Sequence, residues 1–352
     1  MLRVPARNGV SPLGNIVESL IPARKTIHAG QCRICGSTET VPLVAREMMF
    51  GLRESFDYVE CQACGCVQIS AYPDDMARFY PADYYSYAPP ADPPVPAGRR
   101  ARAKANVKAA LLRLSALRRW HFKRVSRQAW VARSPFLALY TGLLPHPDAR
   151  ILDVGCGEGA LVRELRDLGY RNALGADPFI LADFLYQGRI SVYRRGLGEM
   201  EGPFDCISMH HALEHMPNQL QVLQQARALL APGGVLLLRI PVAGGAAWRT
   251  YGADWVQLDP PRHFYAHTPG SLQTLATQAG FTVRSLAHDS TALQFWGSEL
   301  YRQDIALTDP RSPAKGSEAI FSAVAVAAFE RAAERLNADG DGDQVVAVLV
   351  PT

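Results

Sequence analysis

The stretch Ile151-Leu152-Asp153-Val154-Gly155-Cys156-Gly157-Glu158-Gly159 constrains the fold more than any other part of the chain. An apolar run carrying a single acid is short enough for a buried strand, and it passes directly into a turn with glycine at every second position. Glycine takes positive φ freely and lets a backbone approach a ligand with no Cβ in the way. A strand, this turn and a helix over 160–168 predict a cradle for a nucleotide-like ligand. Nucleotide-binding folds of several kinds share such a turn, so the residues that follow decide between them.

Those residues alternate apolar strands with amphipathic helices, the pattern of a parallel sheet covered on both faces. Strands are predicted at 173–176, 191–193, 204–209 and 235–240, the last entered through Ala231-Pro232-Gly233-Gly234. A helix is predicted over 219–230. Further on come a helix over 271–279, a strand at 281–286, an inserted helix near 318–337 and a closing strand at 344–350. Asp177 stands 24 residues after Asp153, at the end of the second strand, where a carboxylate accepts hydrogen bonds from both hydroxyls of a ribose.

The form of the turn, Asp177, Phe204-Asp205-Cys206-Ile207 and Leu229-Leu230-Ala231-Pro232-Gly233-Gly234 together resemble the class I S-adenosylmethionine (SAM)-dependent methyltransferases over residues 150–352. The resemblance implies an α/β, Rossmann-like sheet of seven strands in the order 3-2-1-4-5-7-6, with the last strand antiparallel. It implies that Gly155 and Gly157 pass beneath the methionine part of SAM and that Asp177 holds the ribose. It also implies that Leu197 or a neighbour flanks the adenine, that Asp153 orients the loop and the amino group, and that Met209 and His210 face the reacting end. A Rossmann dehydrogenase and a non-catalytic, SAM-fold binding protein are the competing readings of the same segment.

Four of the seven cysteines form two tight pairs, Cys32-x-x-Cys35 and Cys61-x-x-Cys64, 25 residues apart and each followed by glycine. Paired knuckles of this kind predict a closed tetrahedral Zn2+ site, structural because no position is left for water. Cys66 is a competing thiol, while Cys156 and Cys206 are expected to pack in the main domain. A four-cysteine unit, a tyrosine-rich stretch and a SAM domain in succession resemble bacterial sugar C-methyltransferases. The resemblance implies a sugar acceptor, nucleotide-linked or lipid-linked, of polysaccharide or secondary-metabolite biosynthesis. It also implies that Tyr80, Tyr84, Tyr85 and Tyr87 close over that acceptor; packing against the zinc module is the alternative role for them.

The chain is accordingly divided into an arm (1–30), the zinc module with its tyrosine-rich segment (31–88), a proline-rich linker and basic helical region (89–148), and the methyltransferase domain (149–352). The formal net charge is +4, too small to demand a polyanion partner, yet no acidic residue lies between Asp92 and Asp148. The basic helical stretch 99–133 suits a solvated helix, a peripheral contact with an anionic membrane surface, or RNA. An RNA methyltransferase, binding RNA through the zinc module and the basic helix, is therefore the second functional reading. With no signal peptide and no spanning segment evident, a cytoplasmic protein is expected, with a peripheral place at the inner face of the membrane as its variant.

Methyl transfer to oxygen or carbon also needs a group to take a proton, and histidine suits that task near neutral pH. Two clusters offer one: His210-His211-Ala212-Leu213-Glu214-His215 after the fourth strand, and Asp259-Pro260-Pro261-Arg262-His263 after the fifth. His263 is the first candidate and His211 the second, with Arg262 expected to hold an anionic group of the acceptor. His211-x-x-Glu214-His215 matches an inverted zinc-protease spacing, but its place in the fold argues against that. It also resembles a Glu-x-x-Glu-His stretch that binds magnesium in ubiquinone O-methyltransferases, but His211 in place of the first acid makes it less suited to a hard cation, and Glu214 and His215 are expected to be scaffold.

Overall fold

The computed structural model of the chain describes residues 31–81, 117, 120–124, 135–186, 189–315, 318 and 320–352. The arm, Tyr84, Tyr85, Tyr87 and most of the basic 99–133 stretch lie outside the described residues. The first knuckle, Cys32 to Cys35, leads into β1 (Thr40–Arg46), which pairs antiparallel with β2 (Ser55–Cys61). The second knuckle follows at once and turns the chain into β3 (Val67–Ile69), antiparallel to β2.

Helix α1 (Pro135–Leu143) then leads to β4 (Arg150–Val154), the glycine turn and α2 (Ala160–Leu168). In α2 Val162, Leu165 and Leu168 are buried at three-residue spacing, one apolar stripe against the sheet, and Gly169 at φ +119° ends the helix. Strands β5 (Asn172–Ala176), β6 (Phe184–Tyr186), β7 (Arg189–Tyr193) and β8 (Phe204–His210) follow, then α3 (Gln219–Leu229) and β9 (Leu230–Pro241). Beyond them the chain forms α4 (Ala246–Tyr251), β10 (Tyr265–Ala266), α5 (Pro269–Gln278), β11 (Phe281–His288), α6 (Leu293–Arg302), α7 (Ala323–Asp339) and β12 (Gln344–Pro351).

The large sheet has eight strands in the order β11-β12-β9-β8-β4-β5-β7-β6, one more than expected. The additional strand, β6, is a three-residue edge piece antiparallel to β7, too short to show a period in the sequence. From β7 to β9 the strands run parallel; β12 lies antiparallel to both β9 and β11. Val154 and the ends of β5 and β8 therefore meet at one edge, where the glycine turn leaves the sheet. Among the described residues no helix is long and apolar enough to cross a membrane.

The cysteine module shares more with the large domain than the sequence suggests. Strand β10, from the domain, completes the small sheet in the order β1-β2-β3-β10, with Tyr265 opposite Gln68 and Ala266 opposite Val67. Cys32, Tyr58, Cys61 and Phe79 lie in one continuous buried cluster with Leu152, Ile207 and Leu236 of the large sheet.

Candidate active site and cysteine centre

The glycine turn is built as its sequence requires. Gly155, Gly157 and Gly159 have φ of +70°, +50° and +76°, where side-chain-bearing residues are strained. A Cβ on Gly155 would lie 2.6 Å from Cβ of Ala212, so the chain just after β8 is stacked directly on the turn. The Gly157 N–H donates to Oδ2 of Asp177 (3.0 Å) and the Phe179 N–H to Oδ1 (2.8 Å). Each oxygen keeps a lone pair for a further donor such as a ribose hydroxyl. Burial pushes the Asp177 carboxyl up from its ordinary value, against the pull of those two N–H groups.

Asp153 is buried and accepts from Ser208 Oγ (2.9 Å), its neighbour across β4 and β8. Burial, offset in part by that hydroxyl, pushes its carboxyl up to about 7. Met209 is fully buried, so its side chain faces the core, and Leu197 is buried in a short 3-10 turn at 197–199. His210 Nε2 bonds the Tyr140 hydroxyl at 2.8 Å, and burial, reinforced by Arg239, holds the ring well below its usual pKa and neutral. Tyr140 and Ser208 carried no signal in the sequence, because each is recognisable only by what it touches.

The two histidine clusters meet. His211 sits at φ +48°, a left-handed backbone that turns the chain off β8, and its Nδ1 lies 3.3 Å from Oε1 of Glu214. Arg239, paired to Asp289 at 2.5 Å, approaches His211 Nε2 at 3.4 Å. Glu214 is 1% exposed and neither carboxylate oxygen has a hydrogen bond; the approach of His211 falls short of one. Burial raises this carboxyl, but the contact with His211 and the other imidazoles outweigh it and hold the group at about 2.

His215 Nδ1 contacts the Arg262 carbonyl (2.9 Å) and the Tyr80 hydroxyl (3.2 Å), and the His263 ring centre is 4.6 Å away. Burial, with His263 beside it, lowers His215 to about 4. His263 Nδ1 meets the Gln257 carbonyl at 2.8 Å. A carbonyl only accepts, so in both rings Nδ1 carries the hydrogen and Nε2 the lone pair.

Arg262 does not serve as the expected anion holder. It is fully buried, forked onto Asp259, and paired to Glu47 of the cysteine module at 2.8 Å. Glu47 in turn accepts from Phe50 N and Leu52 N, both at 2.9 Å, and Tyr58 donates to the His263 carbonyl at 2.8 Å. The module thus holds the loop that carries His263. Glu47 and Tyr58 escaped the sequence reading because their partners lie more than 200 residues away.

The four cysteines converge as predicted by their spacing. Sγ of Cys32 and Cys64 are 3.6 Å apart, those of Cys35 and Cys61 3.5 Å, and all four lie within 4.8 Å of one another. A tetrahedral zinc with sulfur at 2.3 Å has sulfur–sulfur edges of about 3.8 Å, so the set fits the ion. The two knuckles have the same form: Gly36 N donates to Cys32 O and Gly65 N to Cys61 O, with φ of +78° and +71°. Cys66 lies outside this group, fully buried. Thr268, which caps α5, donates to the Cys64 carbonyl at 2.7 Å, and a Cβ on Gly65 would lie 2.7 Å from its methyl.

Residues 112–286 match the family model described as a methyltransferase domain. The chain is 31% identical over 169 residues to the ubiquinone biosynthesis O-methyltransferase of Psychrobacter arcticus, covering 42% of this chain and 65% of that protein. It is 27% identical over 163 residues to the tRNA U34 carboxymethyltransferase of Methylococcus capsulatus, covering 43% and 50%. It therefore spans less than two thirds of the length of these curated relatives. A solved SAM-dependent methyltransferase from Mesorhizobium loti aligns at 17% identity over 62% of this chain and 98% of that one, with a TM-score of 0.39. The glycine turn, the acid at 177 and the matched sequence together identify the large unit as a class I SAM-dependent methyltransferase domain.

Proposed function

We propose that the chain transfers the methyl group of SAM to oxygen or carbon of a small, sugar-type acceptor, and that the four cysteines hold a structural zinc ion. SAM supplies an electrophilic methyl on a positively charged sulfur; the bond to sulfur breaks as the bond to the acceptor forms, and the acceptor's proton passes to a base. The observation that carries this reading is the stacking of Ala212, and with it His211, directly on the glycine turn. Asp177 at the turn and His211 beside it put a ribose holder and a proton acceptor at the same edge of the sheet. Tyr80, bonded to His215 at 3.2 Å, would offer a hydroxyl to a sugar-type acceptor.

Of the two histidines, His211 has the stronger claim to the proton: its side chain is 34% exposed against 10% for His263, which is packed on His215. His211→Ala is expected to lower kcat on the order of 100-fold. The heat of S-adenosylhomocysteine binding should stay as in the native chain. The assay follows methyl transfer from labelled SAM across a panel of nucleotide sugars, with His263→Ala alongside. Equal turnover by His211→Ala and the native chain would remove His211 from the mechanism; absence of any heat with S-adenosylhomocysteine would remove the reading as a whole. The RNA reading rests on the cysteine module and the basic 99–133 stretch, most of which lies outside the described residues.

A further inference from the structure

We propose that Glu214, His215 and His263 form a second metal site, distinct from the four cysteines, for one divalent cation of the zinc and cobalt type. This goes beyond the methyl-transfer reading and does not rest on it. One ligand atom of each of the three residues lies within 4.8 Å of the others. Glu214 is 1% exposed and both its oxygens lack a hydrogen bond, whereas buried carboxylates are as a rule paired or metal-bound. His211 makes only the 3.3 Å approach to it.

The imidazoles are set as ligands are. Each ties Nδ1–H to a backbone carbonyl, Arg262 O for His215 and Gln257 O for His263, which fixes the ring and the tautomer and frees Nε2. Local charge points the same way. Glu47 and Asp259 share a single buried guanidinium, Arg262, and both oxygens of the buried Glu214 are without a hydrogen bond, so carboxylates outnumber guanidiniums in this buried cluster. Two nitrogen donors and one carboxylate select borderline cations over magnesium or calcium, which take oxygen ligands. Three protein ligands leave a position open for water or an acceptor oxygen, unlike the closed cysteine set.

The test is metal content and cobalt absorption of the full chain. Native protein is expected to retain two equivalents of zinc, and Glu214→Gln or His263→Gln one, with the affinity for the second equivalent lowered about 10- to 100-fold or more. S-adenosylhomocysteine binding reports whether each variant is folded. Should both variants fail to fold, cobalt added to native chain already holding one zinc decides the matter. A second equivalent that absorbs through its d electrons, without a sulfur-to-cobalt band, supports the site. A native chain that takes up one equivalent only, or a second equivalent that survives in folded variants, overturns it.

Discussion

Gly155 shows how closely a single residue can be specified. Its φ of +70° strains any side chain, and a Cβ would meet Ala212 at 2.6 Å. Gly155→Ala is expected to cost about 1–3 kcal/mol of stability and to weaken SAM binding, read by thermal melting and by calorimetry. That glycine was legible in the sequence because its requirement is conformational and travels with a local pattern. Arg262 was not. Its own neighbours, two prolines and a histidine, suggested a loop cation that holds an anionic group of the acceptor, and only the fold brings Glu47 against it in a buried pair. Met209 followed the same rule: a strand end was read correctly, but the direction of its side chain depends on the sheet above it.

At the scale of elements, β10 and α5 are joined through His267, whose Nδ1 meets Ser271 Oγ at 2.9 Å and whose Nε2 meets Gln219 Oε1 at 2.7 Å. Burial lowers this imidazole to about 4. Between the ordinary value near 6.5 and that figure, the unfolded chain binds a proton that the folded chain refuses. Stability from this group is therefore complete above about pH 6.5 and falls as the pH drops toward about 4, by an amount on the order of 3 kcal/mol. Urea unfolding at pH 7 and pH 5 should show the loss, and His267→Gln should flatten it; an equal slope in the variant would place the proton elsewhere. The strands and helices of the parallel core were legible because burial on both faces leaves continuous apolar runs. By contrast β6 and β10, three and two residues long, carry no period, and α6 went unread between loops of mixed composition.

For the molecule as a whole, the cysteine centre and the transferase core are one packed body. Gln278 of α5 donates to the Ile34 carbonyl, and Arg33 stacks over the rings of both Tyr72 and Tyr265 at about 5 Å. Cys35→Ser, which removes one sulfur from the proposed zinc, should expose 31–81 to proteolysis and lower turnover while leaving S-adenosylhomocysteine affinity within a few fold. Loss of both binding and turnover would show that the glycine turn depends on the metal too. The two spacings of the cysteines announced a module, but its dependence on residues 258–268 was written nowhere in the local sequence.

The pairing of β3 with β10 has a consequence for biogenesis. The first three strands of the small sheet leave the ribosome nearly 200 residues before Tyr265 and Ala266. Until then the nascent hairpin has an unpaired edge and lacks the Tyr58 bond to His263. Early capture of the proposed zinc by the knuckles would hold that piece in a competent shape while the rest is translated, and on that proposal cells short of zinc should accumulate aggregated chain rather than inactive soluble protein.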